Sequence, residues 1–74
     1  MGELAIMGKE GDTKVIWDVE NEDEVEAAEA QFDALMDKGF SAFKVKKNGD
    51  PGVQIRKFKA DAGKIIMVPP VTGG

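Results

Sequence analysis

A chain of 74 residues holds one domain, and at that size a single apolar core leaves only a few kcal/mol of net stability. It contains no His, no Cys and no Tyr, so the usual general base, the thiol nucleophile and the soft metal ligands are missing. Composition therefore argues against an enzyme and for a protein that binds, carries or is itself recognised. The net charge of −4 hides a division. Residues 1–37 hold 12 acids against Lys9 and Lys14, 2 − 12 = −10, while residues 38–74 hold 8 bases against Asp50 and Asp61, 8 − 2 = +6. Two surfaces of opposite sign follow, which either orient partners or attract each other across the fold.

"ELAIMG" (3–8) and "TKVIWD" (13–18) are short runs rich in apolar and β-branched residues, and the "KEGD" between them offers Gly11 for a turn. They read as a β-hairpin. In "NEDEVEAAEAQFDALMDKGF" the apolar residues Val25, Ala28, Phe32, Leu35 and Met36 fall on one helical stripe. Asn21 with Glu24 three residues on resembles a capping arrangement, Glu22 and Asp23 suit the positive end of the helix dipole, and Lys38-Gly39 supplies a stop. A helix over 22–38 is the expectation.

"FSAFKVKK" (40–47) sets Phe43 and Val45 against Lys44 and Lys46, the alternation of a half-buried strand. "NGDPG" (48–52) marks a turn, and "VQIRKF" (53–58) returns as a further strand. "KADAGK" (59–64) is a loop or a single short turn. "IIMV" (65–68) is a last strand, stopped by Pro69-Pro70.

The order β-β-α-β-β-β gives an α+β domain over residues 1–68, one helix packed on a mixed sheet of four or five strands, with the last strand beside the first. That is the ubiquitin-like β-grasp arrangement. A ferredoxin-like sandwich needs a second helix, and 59–64 is too short and glycine-interrupted to supply one. One helix covers one sheet face, yet Ile65, Ile66, Met67 and Val68 are apolar in succession, so one parity points to the uncovered side. Trp17, Val15 and Ile16 pose the same question in the second strand. An apolar strip on an open face marks a partner surface, unless loop 59–64 folds over it.

Residues 69–74 form a tail expected to be flexible. Pro69 and Pro70 stiffen its departure, and six extended residues reach about 20 Å. Gly73 and Gly74 have no side chains to obstruct passage of a carboxylate through a narrow channel. "DAGKIIMVPPVTGG" (61–74) resembles the ending of the small subunit of molybdopterin synthase, and the diglycine and β-grasp are shared with the thiamine sulfur carriers and ubiquitin-like modifiers. The helix running almost directly into "FSAFKVKK", the basic hairpin 40–58 and the first strand depart from that pattern.

The resemblance implies a sulfur carrier or protein modifier that is a substrate and not an enzyme. An E1-like adenylating enzyme, using ATP and Mg, would convert the Gly74 carboxylate into an acyl-adenylate. A sulfur donor then yields a thiocarboxylate for a sulfur acceptor, or a target protein's lysine yields a conjugate. The chain itself would bind no cofactor and no metal. Ile65, Ile66, Met67, Val68, Pro69, Pro70, Lys44, Lys46 and Arg56 are the expected partner-binding residues, with Gly73 and Gly74 the activated end.

The alternative is a small interaction or structural module that uses the open sheet face, with a homodimer as one form. Nucleic-acid binding is a third reading, since Lys44, Lys46, Lys47, Arg56, Lys57 and Lys59 interleave with Phe43 and Phe58. The acidic total opposes it. The run Glu20, Glu22, Asp23, Glu24, Glu26 lacks the spacing of a calcium loop and fits a helix start. With no disulfide, no apolar run of about 18 residues and no leader-like start, the expected location is the cytoplasm, away from membranes.

Overall fold

A computed structural model describes residues 1–8, 11–45 and 51–71. Five strands and one helix follow in the order β1 (Gly2–Ile6), β2 (Thr13–Trp17), α1 (Glu22–Asp37), β3 (Ser41–Val45), β4 (Pro51–Ile55) and β5 (Lys64–Val68). The strands form one mixed sheet in the spatial order β2-β1-β5-β3-β4. Strand β5 sits at its centre, parallel to β1 and antiparallel to β3. This is an α+β domain with a single helix among the described residues, as the sequence predicts.

Helix α1 starts where its chemistry says it should. Asn21 stands at the N-cap in extended backbone, and its side-chain oxygen accepts from the amides of Asp23 and Glu24. The Glu24 carboxylate accepts in turn from the Asp18 amide at 2.8 Å and from the Asn21 side-chain amide at 3.2 Å. The other end closes on Lys38 and Gly39. Gly39 has φ +94°, its amide donates to Met36 and the Phe40 amide donates to Leu35, each at 3.0 Å. That pair of reversed bonds is a Schellman closure, and it requires the left-handed glycine. The helix thus ends one residue earlier than the expected Lys38.

The stripe of α1 buries Ala28, Phe32 and Leu35 against Leu4, Trp17, Ala42, Ile65 and Met67, with Val25 and Met36 packed at the margin. Phe58, in the loop after β4, completes this layer. Its ring lies 5.0 Å from Trp17 and 5.8 Å from Phe32, both tilted toward edge-on contact. Trp17 is fully buried and donates its indole N–H to the Ala60 carbonyl at 3.0 Å. Loop 56–63 is thereby tied across the helix side of the sheet, so it does not cover the other face.

Strand β4 departs from expectation. It runs from Pro51 to Ile55 and not over 53–58. Two steps along β3, from Phe43 to Val45, oppose three along β4, from Gln54 to Pro51, so β4 carries a one-residue bulge. The expected turn over 48–52 and Lys46 and Lys47 fall mostly outside the described residues, and Pro51 and Gly52 belong to the strand.

Candidate functional site

Register partners share a sheet face, so the pairings sort every strand residue. Leu4 pairs with Val15 and with Ile65, Ile6 with Met67, and Met67 with Ala42. These face α1. The opposite parity forms a row across the sheet: Lys14 beside Ala5, Ala5 beside Ile66, Ile66 beside Phe43, Phe43 beside Gln54. Val68, paired with Ser41, adds to it from one side, and Ile16, paired with Glu3, from the other. No described element packs over this face.

The row is apolar at its centre and charged at its rim. Ile16 is 55% exposed and Val68 39%, while Ile66 and Phe43 are half-buried by each other and by Ala5. Lys14 is exposed at one end of the row. Lys64 lies 3.6 Å from Glu3 on the same face, a partly exposed pair of little energetic weight, with one Glu3 oxygen buried and not hydrogen-bonded. This strip with its polar border is the candidate site.

The expected partner-binding residues divide on this geometry. Ile66 and Val68 belong to the open face. Ile65 and Met67 have no accessible surface, because their parity is locked to Leu4 and Ile6 under the helix, so they act as core beneath the site and not as contacts. Trp17 likewise faces the helix, leaving Ile16 as the outward residue of β2. Lys44 pairs with Ile65 and stands on the helix-side parity, exposed where α1 does not reach. Arg56 is exposed just after β4. Lys46, Gly73 and Gly74 lie outside the described residues. Sequence reasoning missed Ala5 and Phe43 as members of the row; the alternation in 40–47 marked Phe43 as buried but could not say on which face.

Pro69, Pro70 and Val71 leave β5 fully on the surface, with Val71 94% exposed. The Pro70 ring lies 3.5 Å from where a β-carbon on Gly39 would stand, so the segment leaves past the helix C-terminus. The acidic residues at the helix start are engaged locally. Asp18 accepts from the Glu20 amide at 2.9 Å and Glu24 serves the cap, and no group of three acidic side chains among the described residues is placed to hold a metal ion. No helix among the described residues is long and apolar enough to cross a membrane.

The chain matches no protein-family model, no curated protein and no solved structure.

Proposed function

We propose that the protein is a ubiquitin-like β-grasp carrier or modifier whose Gly74 carboxylate is adenylated by an E1-type partner, with Ile66, Phe43 and Val68 as the surface on which that partner docks. The observation that carries the reading is the position of β5. It is the central strand, parallel to β1, and its outward residue Val68, on the open face, is followed directly by the exposed Pro69–Val71. A partner that contacts Val68 is therefore adjacent in sequence to the segment leading to Gly73 and Gly74. The order β2-β1-β5-β3-β4 with one covering helix is the arrangement a β-grasp has, which supports the same reading.

The chemistry assigned to this chain is that of a substrate. Its carboxylate attacks the α-phosphorus of ATP, pyrophosphate leaves with a Mg ion, and the mixed anhydride carries an activated acyl carbon. A sulfur donor or a lysine amine then displaces AMP. The absence of His and Cys from the chain fits this division, since the catalytic groups belong to the partner.

The test begins with the intact mass of the protein purified from its own cells, which defines its C-terminal residue. Incubation with ATP, Mg and the cell extract is then expected to give a gain of about 16 Da, for oxygen replaced by sulfur, or a ladder of conjugates. Deleting Gly73 and Gly74 is expected to abolish either product with the fold intact. A truncated chain that is processed as well as the full one overturns the proposal. The second reading, an interaction module, is favoured by the same open row; a complex that forms through Ile66 and Val68 and survives loss of both glycines decides for it.

A further inference from the structure

The sheet ends in two edges of very different character. Strand β4 begins with Pro51, which has no N–H to offer, contains Gly52, and is bent by its bulge, all features that discourage pairing. Strand β2 has none of these. Its five residues are in unbroken register with β1, four of them (Thr13, Val15, Ile16, Trp17) are β-branched or aromatic, and its outer side has no strand partner among the described residues. We propose that this edge takes an extended segment of another protein as a sixth strand, and that the segment carries Lys or Arg at alternate positions.

The charges around β2 favour a basic occupant. Asp12 precedes β2, Asp18 and Glu20 follow it, and α1 packs over it with seven acids and no base between Glu22 and Asp37. Side chains of an added strand point alternately to the two faces of the sheet. One parity runs along the side on which α1, with its seven acids, packs; the other lies beside Lys14 and Ile16, both exposed on the open face. The segment that fits has basic residues on the first parity and apolar, β-branched residues on the second.

The same charges exclude self-pairing. Two β2 edges joined about a two-fold axis would bring two copies of α1 alongside each other, a like-charge contact with no cation in either helix to relieve it. Joining β2 of one copy to β4 of the next meets Pro51 and the bulge. A foreign basic strand avoids both.

The experiment uses the full chain, isotope-labelled, titrated with the peptide Arg-Val-Arg-Val-Arg-Val-Arg. Two controls accompany it: the same residues with all arginines contiguous, and the alternating peptide with Glu in place of Arg. Expected are amide shifts and slowed hydrogen exchange across Thr13–Trp17. Affinity should be about tenfold better for the alternating basic peptide than for its rearranged form, and should fall as salt shortens the screening length below about 10 Å. Ile16→Lys, at an exposed position, should weaken binding about tenfold by placing like charge beside the segment. Perturbation confined to α1, equal binding of the rearranged peptide, preference for the Glu peptide, or a dimer through β2 in the absence of peptide would each overturn the proposal. The rearranged peptide on the unaltered protein keeps the test decisive if Ile16→Lys fails to fold.

Discussion

Ile65 and Ile66 are chemically identical neighbours on one strand, and the assignment of the candidate site rests on their pointing opposite ways. Ile65→Ala removes three carbon groups from a site with no accessible surface, about 2.4 kcal/mol of transfer free energy at roughly 0.8 per methylene, and the unrelaxed cavity brings the loss to about 3–4 kcal/mol. Ile66→Ala removes the same atoms from a half-buried side chain on a face where water and the Phe43 ring fill the space, so only about 1–1.5 kcal/mol is lost. Both are large against the roughly 4–11 kcal/mol available to a domain of this length. Urea titration followed by the fluorescence of Trp17, the single and fully buried tryptophan, reads the difference. With a urea slope of about 1 kcal/mol per M, the midpoint should fall by about 3 M for Ile65→Ala and by about 1 M for Ile66→Ala. Equal losses, or the reverse order, would refute the face assignment and remove the site with it.

Gly2→Ala should cost about 1–3 kcal/mol in the same titration, since its β-carbon would collide with the Trp17 ring, which is itself fixed by the bond to Ala60. Asn21→Ala should cost about 1 kcal/mol through loss of the helix cap, visible as faster hydrogen exchange at Asp23 and Glu24. Gly39→Ala should cost about 1–2 kcal/mol through its positive φ alone, because the new β-carbon would meet Pro70 only at ordinary contact distance; a normal midpoint for this variant would argue against the Schellman closure. Val68→Ser should leave the midpoint within about 0.5 kcal/mol of the parent while abolishing capture of the tail-directed partner, and a stable variant that still captures it would count against the open-face site.

What was legible in the chain was what local patterning determines. The stripe Val25, Ala28, Phe32, Leu35 and the signals at Asn21 and Gly39 located α1 to within one residue, because period and capping are properties of neighbours in sequence. The inclusion of β5 beside β1 was legible too, from the order of elements. The parity of Ile65–Val68 was not. Four apolar residues in a row have no alternation, so only the pairing of Leu4 with Ile65 decides which two face the helix. Trp17 against Ile16 is the same case, resolved by the pairing of Gly2 with Trp17, where the missing β-carbon makes room for the indole. The end of β4 was misplaced because Phe58 reads locally as strand, whereas its ring is drawn out of the sheet plane to join Trp17 and Phe32. Such contacts are set between residues far apart in the chain, and no window of sequence contains them.

The position of β2 relative to β5 has a consequence for how many partners the domain can hold. Two strand spacings separate them, with β1 between, which is about 10 Å of sheet at roughly 4.8 Å per strand. A partner centred on Ile66 and Val68 reaches the tail directly, but it need not approach the backbone on the outer side of β2. The shared residues are Lys14 and Ile16, which border the open face and flank the edge. The two surfaces therefore accommodate occupants at once, unless the tail-directed partner extends across β1 to Lys14 or Ile16. Adding the alternating basic peptide at saturation to an adenylation assay distinguishes these geometries. Unchanged KM for this chain as substrate means that the edge is free in the complex. A raised KM means that the partner's footprint crosses β1 and reaches the edge.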